Sequence, residues 1–242
     1  MPNVDTGGTG SYNGMILSVQ RRATRGVTVS ANYTWSHCIT DPAGETVVIG
    51  TSSNTGWINR SLERGNCALA ATDRRHVFNL SGVASTPQFS NGRLRAVASG
   101  WRFSPIFKIL TGRYLNITTS QDRALDATPN QKVNQVLPNP FGDKSISNYL
   151  NPAAFTVPAL GTLGAIGRNS IVGPGTWQFD AALSRTFQIR EAQKLEFRAE
   201  AFNVTNSFKM TNPTTNLSSN LFGQVTSARD PRIMQFALKY FF

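Results

Sequence analysis

A strict two-residue alternation of apolar and polar side chains constrains this chain more than any other feature. From Val27 to Ser36, the residues Val27, Val29, Ala31, Tyr33 and Trp35 fall on one face of an extended chain. Thr28, Ser30, Asn32, Thr34 and Ser36 fall on the other. A period of two means β-strand, and two unlike faces mean a strand between unlike environments. Trp177–Ile189 repeats the pattern, with Trp177, Phe179, Ala181, Leu183, Phe187 and Ile189 on the apolar side and Arg185 as the one charged intruder. Lys194–Ala201 sets Leu195, Phe197 and Ala199 against Glu196, Arg198 and Glu200, and the last ten residues set Met234, Phe236, Leu238, Tyr240 and Phe242 against Gln235 and Lys239. Weaker alternation over Tyr12–Arg21, His76–Ser85 and Trp101–Leu110 brings the expected strands to seven. Pro105 has no N–H to give, so its strand should carry a bulge or a missing ladder bond.

Composition excludes several classes. Charged residues are 15% of the 242 and aromatics 10%, too apolar for a disordered tail. No run approaches the roughly 20 apolar residues of a membrane helix. Lys and Arg exceed Asp and Glu by 24 to 13, a net charge of +11. That basic balance invites nucleic acid as a partner. The cations are scattered, however, with Arg21-Arg22 and Arg74-Arg75 the tight pairs, and no recognition helix or zinc-knuckle spacing accompanies them. No nucleic-acid partner is expected; the excess suits a polar lumen or anionic headgroups. The N-terminal MPNVDTGGTGSYNG lacks the basic and apolar regions of a signal peptide. Taken alone that predicts no export, against everything that follows.

The connections between the seven strands alternate in length. Residues 22–26, 86–100 and 190–193 are tight or moderate, and Asn91-Gly92 is a hairpin-turn signal in the second of them. Residues 37–75, 111–176 and 203–232 are long. In an up-and-down sheet every short connection then lies at one end and every long one at the other. This is the arrangement of outer-membrane β-barrels, with short periplasmic turns and long extracellular loops. The fold class expected is all-β: an antiparallel meander of about seven strands forming an open segment of a transmembrane barrel. Arg102, Lys108, Asp180, Glu196, Arg198, Glu200 and Lys239 would face the lumen, and paired aromatics near strand ends (Tyr33 and Trp35, Trp101 and Phe103, Trp177 and Phe179) would form interfacial girdles. The rivals are a soluble or secreted β-sandwich binding module and a small porin-like barrel closing by oligomerisation.

Several stretches resemble the C-terminal barrel of TonB-dependent outer-membrane receptors, in the Oar-like branch. They are Gly167-Arg-Asn-Ser-Ile-Val-Gly-Pro-Gly175, Phe179-Asp-Ala-Ala-Leu-Ser-Arg-Thr-Phe187, Glu196-Phe-Arg-Ala-Glu-Ala-Phe-Asn-Val-Thr-Asn206 and Arg232-Ile-Met-Gln-Phe-Ala-Leu-Lys239. Tyr12-Asn-Gly14, Asn32-Tyr-Thr-Trp-Ser36 and Asp73-Arg-Arg-His-Val-Phe-Asn-Leu80 also fit, so the likeness spans nearly the whole chain. The terminal Phe236, Leu238, Tyr240 and Phe242 resemble the barrel-assembly signal, which puts the last residue on the periplasmic side. Such receptors are closed barrels of about 22 strands around a plug. The resemblance implies residues 1–242 are the C-terminal segment of such a barrel in a Gram-negative outer membrane, with plug, N-terminal strands and TonB box absent. Its partners would be membrane lipid, the rest of the barrel and plug, and the TonB complex through that plug alone. The transported ligand is left open.

The chemistry-bearing residues are few. Cys38 and Cys67 lie near the two ends of connection 37–75. In an exported loop a disulfide is the natural reading, worth about 3 kcal/mol in the chain-entropy model. The rival is a metal set from His37, Cys38, Cys67 and His76, weakened because adjacent residues of a strand point to opposite faces. No nucleophile stands in an elbow context and nothing ties Asp73 to His37, so no catalytic residues are expected; Asp73-Arg74-Arg75-His76 reads as a charged latch. Glu196 and Glu200 would lie about 13 Å apart, too far for acid–base pairing, which leaves a lumen salt-bridge ladder with Arg198 pairing across strands. No cofactor motif is present. The loop 111–176, rich in Asn, Pro and Gly, is long enough to be functional, touching ligand or covering the barrel mouth.

Overall fold

The computed structural model describes residues 9–22, 26–40, 64–67, 73–127 and 130–242. The N-terminal segment 1–8, the tip of the first turn (23–25) and most of connection 37–75 lie outside the described residues. Seven long strands form one antiparallel meander: β1 (Gly10–Arg22), β2 (Val27–Thr40), β3 (His76–Ser85), β4 (Trp101–Leu110), β5 (Thr176–Gln188), β6 (Lys194–Phe202) and β7 (Ile233–Phe241). Each pairs with its neighbours in sequence, and the two residues Gly65–Asn66 add a short rung to β2. The strands begin and end within a few residues of where the alternation does, because each face is set by its surroundings.

Register converts the alternation into two continuous surfaces. Partners across a ladder share a face, so Lys108 aligns with Asn79 and Gln178. Ser184 aligns with Arg102 and Arg198, and Glu196 with Thr186 and Lys239. All seven expected lumen charges therefore lie on one face. The other face carries Met15, Trp35, Phe78, Ile109, Trp177, Leu183, Phe197 and Leu238. At Pro105 the β3–β4 ladder skips Gly82 and Val83 but resumes at Ala84↔Phe103 in the same register. The distortion is thus a missing rung and not a bulge.

The sheet is open. The path runs from β1 to β7 without closing, and every residue of both end strands is exposed. The seven-strand parity makes β1 and β7 run in the same direction.

Two features depart from expectation. Asn91-Gly92 is not a hairpin turn. Asn91 caps a short helix, α1 (Gly92–Ala98), its side-chain oxygen accepting from the Arg93 and Leu94 amides at 3.0 and 3.3 Å. The second departure is the location of the core. The sheet contributes almost nothing to it; the buried cluster is built from the long connections, including Leu115, Ile117, Val133, Leu150, Phe155 and Phe222. Residues 111–175 and 203–232 thus fold together as a head on one end of the sheet. They are stitched by amides of Tyr149 and Leu150 on Gly223 O (2.9 and 3.2 Å) and of Leu217 on Thr118 O (2.7 Å). Gly223 has φ of +76°, and a Cβ there would collide with the Leu150 carbonyl.

Candidate functional site

The polar face of the wall is where the expected lumen residues meet. Its charges are spread along the strands. Among the described residues one ion pair lies on this face, and it joins Arg198 to Glu200 two residues along the same strand. The cross-strand ladder expected for Arg198 is corrected accordingly: side chains at i and i+2 share a face, and Arg198 faces uncharged Ser184 and Ala237 across its ladders. Glu200 also accepts from the Gln235 amide. Lys239 sits opposite Glu196 in register, with its ammonium 4.6 Å from the Phe241 ring centroid.

Asp180 is less a free lumen charge than a structural acceptor. Its carboxylate takes the Gln178 amide at 2.9 and 2.8 Å and the Asn203 backbone N–H at 2.8 Å. Buried Asn203 has φ of +52°, a region Asn tolerates better than most residues. Its side chain donates to Ser207 O at 3.1 Å and accepts from the Ser207 amide at 3.2 Å. Asn206, also at positive φ (+49°), accepts from the Arg232 amide at 3.0 Å. The Phe-Asn-Val-Thr-Asn stretch over 202–206 is thereby explained: two asparagines turn the chain out of β6 and tie that exit to the start of β7.

Above this junction lies a set of cations that the sequence left scattered. Arg74 is buried and donates to Thr111 O. Burial, and then the guanidinium groups of Arg113 and Arg229, push its pKa below the ordinary arginine range. Lys209 is also buried and hydrogen-bonds through its carbonyl to the Arg229 amide at 2.9 Å. Burial lowers its pKa, against the attraction of Asp180. Arg75 donates through two nitrogens to the Tyr114 hydroxyl, at 3.2 and 2.8 Å. The expected latch over 73–76 thus locks β3 to the start of the head.

The end of β2 is clasped by a disulfide to the short segment 64–67, which is in turn hydrogen-bonded to the head through Asn169. Cys38 and Cys67 are bonded, with Cα atoms 5.4 Å apart. Asn66 and Asn169 exchange hydrogen bonds at 2.9 and 2.6 Å, and the His37 ring meets Asn66 Oδ1 at 3.3 Å. Both sulfurs are consumed by the bond, so the metal reading loses its thiolate ligands. His76 is turned away to the Tyr33 hydroxyl, 2.7 Å from its Nδ1. Asp73 lies beside the clasp with neither oxygen in hydrogen-bond geometry. Burial raises its pKa, although Arg75, His37 and the Cys38 amide favour the charged form.

The terminal residues Phe236, Leu238 and Tyr240 project from the apolar face of β7, and Phe242 stacks on Tyr240 with ring centroids 6.1 Å apart. Lipid-facing rings, a charged opposite face, long connections at one end and short ones at the other define a transmembrane wall of a β-barrel. A family model for the outer membrane beta barrel domain matches residues 1–235, and the chain belongs to that family. It is accordingly a protein of the Gram-negative outer membrane, in contact with membrane lipid on its apolar face. The soluble-sandwich alternative falls with that finding. No curated protein and no solved structure matches the chain.

Proposed function

We propose that this chain forms part of the barrel of a TonB-dependent receptor-like transporter of the Oar-like branch. Its function is non-enzymatic, and the remaining strands and plug complete the transporter. The single observation that carries the reading is the open sheet. Backbone groups left unpaired in hydrocarbon cost several kcal/mol each, so β1 and β7 both need partner strands in the bilayer. Because β1 and β7 run the same way, antiparallel closure requires an odd number of additional strands. The charged face of β4 to β7 suits a wide, wet or plugged interior. The quoted resemblances from Tyr12 to Lys239 supply the family branch, and energised uptake through TonB would run through the plug.

The test is a photocrosslinking amino acid at Ile16 in β1, placed in the protein in its native outer membrane. The expected product joins β1 to a strand outside residues 10–241. A crosslink between β1 and β7 of one chain would overturn the reading and favour a small porin-like barrel. A crosslink to β7 of a second copy would favour the oligomeric form of that rival.

A further inference from the structure

We propose that α1 is a membrane-interface anchor, seated in the periplasmic phospholipid leaflet with Leu94 and Val97 among the acyl chains and Arg93 at the phosphate level. The helix lies at the short-turn end of the wall, and its position relative to the two faces is fixed by two bonds. The Trp101 indole N–H donates to Val97 O at 2.8 Å, and the Arg185 guanidinium donates to Ala96 O. Trp101 and Arg185 are ladder partners on the apolar face. The C-terminus of α1 is therefore fastened to the lipid side of the wall, not over the lumen.

Arg185 explains itself in the same arrangement. It is the one charge on the apolar face of β5. Its guanidinium lies 5.2 Å from the Trp101 ring centroid and 4.6 Å from that of Phe187. A cation between two rings, capping the negative end of a helix, is stable at the depth where tryptophan marks the membrane interface.

The helix has the composition for that depth. Leu94 and Val97 are three residues apart and share a side, and they are 53% and 71% exposed. The segment 86–100 has two arginines and no acid. Arg95 is turned back to its own loop, donating to Phe89 O and Ser90 O at 2.8 and 3.3 Å. The Arg93 guanidinium has no hydrogen-bond partner among the described residues and is available to a phosphate, its backbone amide alone being held by the Asn91 cap. Seven residues are too few for a helix to persist alone in water. The Asn91 cap, the indole bond and the Arg185 bond together hold one in place. The helix end is bonded to Trp101 and Arg185, residues of the lipid-facing surface of β4 and β5, which selects lipid as the occupant of the exposed apolar side.

The test uses the protein in vesicles of phosphatidylethanolamine and phosphatidylglycerol, with a bimane probe on Val97→Cys or, for comparison, on Ser90→Cys. The native disulfide leaves each variant one free thiol. Phospholipid brominated near the headgroup should quench the probe at 97 at least threefold more than the probe at 90, and aqueous iodide should show the reverse order. Equal quenching at both positions overturns the proposal. So does protection of 97 from iodide without bromolipid quenching, which would mark a protein partner. As a second arm, Arg93→Gln should reduce quenching at 97 in vesicles containing phosphatidylglycerol, and an unchanged value removes the phosphate contact.

Discussion

Leu150→Ala probes whether the head is a folded unit with its own core. Leu150 is completely buried, and its backbone is hydrogen-bonded to Gly223 across the two long connections. Its side chain belongs to the cluster that also holds Phe155 and Phe222, whose rings pack edge to face at 5.5 Å. Truncating such a leucine removes its transfer free energy and leaves a cavity, at a cost of about 2–5 kcal/mol. Near 3 kcal/mol, the population of locally opened head rises about a hundredfold, since 1.4 kcal/mol is a factor of ten. The wall shares almost none of this core, so β1 to β7 should be untouched. Protease added to intact cells reads the difference, because cleavage tracks the open population when closing is fast. The expected result is rapid cleavage within 111–175 and 203–232, with unchanged amounts of protein in the outer membrane. Wild-type resistance would refute the head as a packed unit. Loss of the whole protein from the membrane would refute its independence from the wall.

Other consequences follow from the same geometry. Leu183 and Ala182 are adjacent but face lipid and lumen respectively, and Ala182 is paired with Glu200. Leu183→Arg, two residues inward of the interfacial Arg185, should cost less than the about 2–4 kcal/mol of an arginine at mid-membrane but still lower the heat-modifiable protein in outer-membrane fractions, whereas Ala182→Arg should leave it near wild type. Cys38→Ser with Cys67→Ser should lower stability by about 3 kcal/mol, seen as faster proteolysis around 64–76, and mass mapping of the wild type under non-reducing conditions should show the two peptides joined. The raised pKa of Asp73 means that its contribution to stability is present below the unfolded aspartate pKa of about 4 and is lost as pH rises through the higher folded value. Asp73→Asn should therefore leave residues 64–67 and 73–76 at least as protected as wild type at pH 7, with less gain on acidification, as measured by hydrogen exchange.

The wall was legible because a transmembrane strand imposes its environment on every second residue. Val27–Trp35 and Trp177–Phe187 declare two faces without tertiary information, and loop lengths set the parity. Arg185 looked like an error in that pattern, because Trp101 and the helix end are brought to it by register and not by adjacency. The helix α1 was hidden for a related reason: seven residues give too little periodicity, and Asn91-Gly92 serves a turn and a helix cap equally well. The head was illegible because its core is assembled from single residues far apart, such as Ile117, Leu150 and Phe222. Between them lie irregular segments with Leu125, Ala127 and Lys144 at positive φ, positions that sequence does not mark. The cation set of Arg74, Arg113, Lys209 and Arg229 is likewise brought together from three connections.

The most direct measurement is a nitroxide scan along β7 of the protein in its outer membrane, from Gln235 to Tyr240. Collision with oxygen and with an aqueous nickel chelate reports lipid and water separately. Labels at 236, 238 and 240 should favour oxygen and those at 235, 237 and 239 the chelate, in strict alternation. A profile without a period of two, or chelate access on both faces, would contradict a membrane wall with one lipid-facing and one lumen-facing side.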